Sequence, residues 1–100
     1  VYMPIERGVE FLSMADAYDR AIVTNSVSKT FSAPATRAGW VIADREVSDR
    51  IRTMRDYTMI SAGVANDAAA TYVLENRERV LERNRAIVEN NAQIAQAWID

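Results

Sequence analysis

Cysteine and histidine are both absent from this 100-residue chain, and lysine occurs once, as Lys29. Without cysteine there is no disulfide framework, which fits a cytoplasmic protein. Without either residue the chain supplies no Ser-His-Asp triad, no cysteine nucleophile and no ordinary zinc site. Chemistry carried here must use lysine, hydroxyls, carboxylates or arginine. A basic excess is missing too: the net charge is -2, so an electrostatic grip on nucleic acid is not expected. No apolar run approaches the length of a membrane span, and no charged-then-apolar secretory start is present. The basic residues other than Lys29 are all arginines, which a GC-rich coding bias explains. That bias does not explain why the one lysine lies in a hydroxyl-rich turn.

The chain reads as an internal piece of a longer one. It opens on Val1-Tyr2-Met3 with no initiator methionine and closes on Trp98-Ile99-Asp100, inside an amphipathic pattern. Some of its apolar surface is therefore expected to lie against absent neighbours.

Along the chain, Val1 to Met3 reads as the tail of a strand stopped at Pro4. Ser13-Met14-Ala15-Asp16 has the form of a capping box, which predicts a short helix from Ser13 to Arg20. Ala21 to Asn25 is an apolar, β-branched run predicted to be a buried strand. Ser26 to Pro34, rich in hydroxyls and ended by proline, is loop chemistry. Gly39 to Ala43 reads as another strand, after which Asp44 is placed to cap a helix from about Arg45 to Met59. Ser61-Ala62-Gly63 interrupts, and a second helix is expected from about Val64 to Leu74, with Asn76 as a joint. The last helix starts near Arg77. It stacks Val80, Ile87 and Ile94 beside Leu81, Val88 and Ala95, which predicts one buried side. Its other side carries Glu75/Arg79 and Arg85/Glu89 at ion-pair spacing. The order of strands and helices favours an α/β sheet layer covered by helices over an all-α bundle.

The stretch that carries chemistry is Ser26-x-Ser28-Lys29, with Arg37 eight residues after the lysine and Gly39-Trp40 beyond it. In an extended chain Ser26 and Ser28 point to one side and Lys29 to the other, unless the backbone turns. Two hydroxyls and a guanidinium make a plausible phosphate cradle, because the fork of an arginine matches phosphate oxygens. A lysine beside bound phosphate can act as a charge, a base or an amine nucleophile. Taken alone, the same residues fit a solvated serine loop with a surface arginine.

This spacing resembles the cofactor-lysine motif of the class I and II aminotransferases, which are fold type I pyridoxal-phosphate enzymes. Tyr18-Asp19-Arg20 leading into Ile22-Val23, the run Val41-Ile42-Ala43, Arg55-Asp56-Tyr57 and Glu82-Arg83-Asn84-Arg85 are also similar to that family, so the resemblance covers nearly the whole chain. It implies pyridoxal 5'-phosphate as cofactor and a mostly parallel sheet covered by helices, with residues 1–100 forming part of the large cofactor-binding domain. The helix from about residue 77 would lead toward a small domain.

It further implies that Lys29 forms the internal aldimine and, once freed by a substrate amine, shuttles a proton as a neutral amine. Ser26 and Arg37 match the positions that hold the cofactor phosphate, and Ser28 is a weaker match, as support for the turn. Tyr2 matches the tyrosine of an Asp-x-x-Tyr element whose hydroxyl meets the ring oxygen; the aspartate facing the pyridinium nitrogen would then precede Val1. The implied partners are an amino acid, a 2-oxo acid and a second subunit of a homodimer, with no nucleic acid and no membrane. One departure stands out. Many relatives read Gly-Leu-Pro-Gly-Leu-Arg up to the arginine, whereas this chain reads Ser32-Ala33-Pro34-Ala35-Thr36-Arg37. The loop should be stiffer than one with glycine.

Three rivals stand beside that reading. A pyridoxal-phosphate lyase, decarboxylase or cyclase would share the lysine segment, since the cofactor supplies the electron sink for all of them. Ser26-Val27-Ser28-Lys29 also fits the S-x-x-K motif of serine acyl-enzymes, which needs Ser26 to open a helix and needs Ser-Asp-Asn and Lys-Thr-Gly partners. Neither partner occurs, and Pro34 stops any such helix. A non-catalytic helical interaction module would explain the amphipathic seam but not the spacing from Ser26 to Trp40. Trp40, Trp98 and the group Met54, Met59 and Ile60 are expected to pack in a core or at an interface.

Overall fold

The computed structural model describes residues 2–99. Its first regular element is the short helix α1, Met14–Ala17. The capping box forms: Ser13 Oγ accepts from the Ala15 N–H, and the Asp16 carboxylate accepts from the Ser13 N–H, each at 3.2 Å. The helix ends earlier than its sequence pattern suggested, because Tyr18 is already extended. The strand expected at the start is not found: Tyr2 and Met3 have no regular structure, and Val1 lies outside the described residues.

Two strands follow, β1 (Val23–Ser26) and β2 (Gly39–Ile42), paired antiparallel with Val23 opposite Ile42 and Ser26 opposite Gly39. Among the described residues they make a two-stranded sheet. The expected sheet is mostly parallel across the large domain; the pair formed within these residues is antiparallel. The connection over residues 27–38 carries no crossover helix, only a single 3-10 turn at Pro34–Thr36, so the chain returns alongside itself. Nor is β1 a buried strand. Ile22 is exposed, and the strand begins two residues later than the apolar run.

Asp44 caps α2 (Arg45–Arg55) by accepting from the Val47 N–H at 2.8 Å. After Gly63, α3 runs over Val64–Glu75 and α4 over Arg77–Ile99. Asn76 serves both helices. Its N–H and its Nδ2 donate to the Tyr72 carbonyl at 3.0 and 2.8 Å, while its own carbonyl accepts from Val80 at 3.1 Å. One residue thus closes α3 and opens α4.

The core is small and lies under the connection between the strands. Val27, Phe31 and Ala70 are its buried apolar members, and Met3, Ala33, Ala38, Trp40, Val73, Val80 and Leu81 pack around them. Apolar residues are 49% of the chain, yet only these three are buried among the described residues. The radius of gyration is 16.8 Å, against about 13 Å for a compact chain of this length. Tyr57, Ile60, Val64 and Trp98 are each more than four-fifths exposed. Hence Trp98, Met54, Met59 and Ile60 are not core residues here, whereas Trp40 is half-buried against the cluster.

The long seam of α4 is likewise buried only near its start. Val80 and Leu81 pack on the core, while Ile87, Val88, Ile94 and Ala95 are exposed. The expected ion pairs on its other side are replaced. Arg79 donates to the Tyr72 hydroxyl, and Arg85 pairs with Glu82 at 3.7 Å. Among the described residues, no helix is long and apolar enough to cross a membrane.

Candidate functional site

Lys29 stands between the two residues that anchor its loop. Val27 is fully buried and Phe31 is nearly so; burying side chains of this kind is worth about 1.5–3 kcal/mol each. Their burial fixes the flanks and turns Lys29 outward, where it is exposed. Backbone bonds close the loop: Val27 donates to Ala38 O at 3.3 Å, Ala33 to Val27 O at 3.1 Å and Ser32 to Lys29 O at 3.0 Å. Ser26 Oγ accepts from the Ser28 N–H at 3.3 Å, so a hydroxyl at the end of β1 caps the turn that follows. The extended arrangement with Ser26 and Ser28 on one side is therefore not what forms. The chain bends at Val27.

Thr30 ties this turn to two distant parts of the chain. Its Oγ1 accepts from the Met3 N–H at 3.2 Å, and its carbonyl accepts from Asn84 Nδ2 on α4 at 2.8 Å. The segment before α1 is held to α4 as well. Arg7 forms a two-pronged pair with the Glu82 carboxylate at 2.5 and 2.6 Å, and Arg85 Nε donates to the Ile5 carbonyl. The Arg7–Glu82 pair is exposed and is worth at most about 1 kcal/mol.

These contacts border an open cavity of ≈ 330 Å³ between the initial segment, the Lys29 turn and α4. Its walls are Tyr2, Met3 and Ile5 on one side, Ser28 to Thr30 with Ser32 on the second, and Asn84, Ile87 and Val88 on the third. Its volume lies within the ~300–1,000 Å³ usual for small-molecule sites, and its polar groups are few and convergent. The Lys29 ammonium lies over the Tyr2 ring, 6.0 Å from its centroid. That is at the outer edge of cation–π range.

Of the residues singled out in the sequence, Lys29, Ser28 and Tyr2 come together in this cavity, and Ser26 and Arg37 do not line it. Arg37 is exposed, sits in the left-handed region with φ 51°, and donates from Nη1 to Pro34 O at 3.0 Å. The serine acyl-enzyme alternative fails on geometry. Ser26 closes a strand and residues 27–29 are bends, so Ser26 and Lys29 are not separated by one helical turn. Among the described residues, no cluster of carboxylates suits a metal.

Sequence reasoning passed over Thr30, Ser32 and Asn84. For Asn84 a signal existed: it falls three residues after Leu81 and four before Val88, a polar residue on the apolar stripe of α4. For Thr30 and Ser32, in a loop already full of hydroxyls, there was none.

A family model described as aminotransferase class I and II matches residues 1–97. Among solved structures, the chain is similar to a PLP-dependent aminotransferase from Streptococcus suis 89-1591, at 46% identity and a TM-score of 0.85. The similarity covers 92% of this chain and 25% of that one, so the chain spans about a quarter of that protein's length. Nothing among curated proteins matches it.

Proposed function

This chain belongs to the class I and II aminotransferase family, whose members use pyridoxal 5'-phosphate, and on that premise we propose that it forms part of an enzyme moving an amino group between an amino acid and a 2-oxo acid. In this reading residues 1–100 are part of the large cofactor-binding domain, and α4 leads toward a small domain. The antiparallel pair β1–β2 is then the margin of a mostly parallel sheet built by the rest of the enzyme. A cytoplasmic homodimer is the setting we propose, with the exposed apolar residues from Tyr57 to Val64 supporting a covered surface in the assembly.

The observation that carries the reading is the meeting of Lys29, Tyr2 and Ser28 in one cavity. The donor set fits a phosphorylated pyridine aldehyde. It offers a primary amine for the aldehyde, a phenol for the ring oxygen and a hydroxyl-rich turn followed by an arginine for the phosphate. Ser26 Oγ is engaged as an acceptor from the Ser28 N–H, which leaves its own O–H free to donate to a phosphate oxygen. Arg37 commits one N–H to Pro34 O and retains the rest of its fork. We therefore assign Ser26 and Arg37 to the phosphate, with Ser28 supporting the turn and Tyr2 beside the ring oxygen.

When bound, the cofactor supplies an electron sink for a substrate amine. The work left to the chain is placement and proton movement. Lys29 Nζ would take the proton from the substrate Cα and deliver it to the cofactor's aldehyde-derived carbon, which requires that the amine reach both. The Lys29 side chain is in none of the ion pairs among the described residues, and its Nζ stands over the Tyr2 ring. Which bond to Cα breaks is decided by residues outside this stretch. A lyase, decarboxylase or cyclase activity is therefore the alternative within the family.

Borohydride reduction of the full-length protein, with peptide mass mapping, tests the cofactor assignment. A pyridoxyl adduct on Lys29 is expected, and an amine-transfer assay then separates transamination from the alternatives. A protein that leaves Lys29 unmodified after incubation with pyridoxal 5'-phosphate sinks the assignment.

A further inference from the structure

Asn84 is the buried polar side chain of α4, 6% exposed, and the cofactor reading gives it no part. A carboxamide taken out of water costs free energy unless its donors and acceptor are engaged. Here Nδ2 donates to the Thr30 carbonyl at 2.8 Å, across 54 residues of sequence, and Oδ1 accepts from Arg83 at 3.4 Å. Thr30 is itself buried, and its hydroxyl takes the Met3 N–H. The residue directly after Lys29 is thus pinned through its carbonyl by α4 and through its hydroxyl by the residue after Tyr2. An apolar residue at position 84 would suit the stripe of α4 between Leu81 and Val88, yet the amide is there.

We propose that Asn84 is a positioning residue, which sets the Lys29 turn against Tyr2 through the Thr30 carbonyl. The idea deepens the cofactor reading and rests on it for its functional meaning, while its structural half stands apart. Removing the amide leaves the Thr30 carbonyl buried and unpartnered, so the turn should open toward water and Lys29 should lose its fixed approach to the cavity. Misplacement of a reacting group by about 1 Å costs up to ~100-fold in rate. Affinity for a ligand that makes no bond to Lys29 should hardly change.

The test compares Asn84→Asp with Val80→Ala in the full-length enzyme. Val80 packs on the same core from the same helix but does not line the cavity and has no described hydrogen bond to the turn. Asn84→Ser, which removes the reach of the amide without adding charge, is the second variant if the aspartate does not fold. Two readouts are taken beside the melting temperature. The first is amide exchange over residues 28–33, expected to quicken about tenfold or more in the Asn84 variants and not in Val80→Ala.

The second is the rate at which cofactor-free enzyme captures added pyridoxal 5'-phosphate on Lys29, trapped by borohydride. It is set against the affinity for pyridoxamine 5'-phosphate, which has no aldehyde to react. Capture should slow by roughly tenfold to 100-fold while that affinity stays within about twofold. Exchange and capture that match the wild type, or that change as much in Val80→Ala at equal loss of melting temperature, overturn the proposal. If wild-type enzyme captures nothing, the cofactor reading fails, and the exchange over residues 28–33 still decides whether Asn84 holds the turn.

Discussion

Gly39 lies directly opposite Ser26 in the β1–β2 ladder, and a Cβ placed on it would meet the Asn25 carbonyl oxygen at 2.8 Å and Ser26 Cβ at 3.2 Å. The first contact is with backbone and cannot yield cheaply. The glycine thus lets the two strands close behind the Lys29 loop. Gly39→Ala is expected to destabilise the full-length protein by about 1–3 kcal/mol, as overpacking does. It should also loosen cofactor retention, because the strand position that moves belongs to Ser26. Denaturant unfolding, followed by measurement of bound cofactor after dialysis, checks both parts. An unchanged midpoint would mean the strands separate without cost.

Ser32 holds φ 51°, a left-handed conformation that costs an ordinary residue about 1–2 kcal/mol. Counting back from Arg37, it stands where the Gly-Leu-Pro-Gly-Leu-Arg pattern implied by the family resemblance has its first glycine. The expected stiffness of a glycine-poor loop therefore has a specific location. Ser32→Gly removes that strain but gives the unfolded chain more freedom, an opposing effect of about 0.4–1 kcal/mol. Relief is the larger effect, so the variant should be more stable by roughly 0.5 kcal/mol. Thermal unfolding of the two full-length proteins in parallel decides it, and a lower melting temperature for the variant would contradict the reasoning.

Local chemistry made much of this molecule legible in advance. The capping box at Ser13, the Asp44 cap and the joint at Asn76 each depend on neighbours within a few residues, and each is found, whereas α2 ends at Arg55, short of the expected Met59 and before the Ser61-Ala62-Gly63 break. What the sequence did not yield depends on distant partners. The apolar period of α4 says that a side is to be covered, but not that Ile87 and Ile94 lack a cover within these residues. Strand direction followed from the lack of a helix between Ser26 and Gly39, which the proline and the hydroxyls signalled without fixing the pairing. At the site, Lys29 was legible as the one lysine in a hydroxyl-rich turn. The Asn84 and Met3 bonds to Thr30 span 54 and 27 residues, and no local pattern encodes them.

The Asp44 cap gives a prediction independent of the site. Its carboxylate accepts from the Val47 N–H at 2.8 Å and stands at the positive end of α2. Asp44→Ala should cost about 1 kcal/mol, whereas Asp44→Asn, which keeps the acceptor and drops the charge, should cost a few tenths. The two variants separate hydrogen bonding from the interaction with the helix dipole. Equal losses in chemical denaturation would assign the whole effect to charge.

Arg37 bears on the phosphate assignment, because its fork is exposed and, among the described residues, one N–H is committed, to Pro34 O. A charge-assisted pair with phosphate is worth about 1.5–3 kcal/mol. Arg37→Gln in the full-length enzyme should therefore weaken pyridoxal 5'-phosphate retention by roughly tenfold to 100-fold. Arg37→Lys keeps the charge and loses the fork, so it should fall between the two. Melting of the cofactor-free proteins should stay close to wild type, since the bond to Pro34 O is a surface contact. The decisive comparison is pyridoxal, which lacks the phosphate. If Arg37→Gln weakens pyridoxal and pyridoxal 5'-phosphate to the same degree, Arg37 acts on the ring or the fold and the phosphate assignment is wrong. A loss confined to the phosphorylated form places the guanidinium on the phosphate.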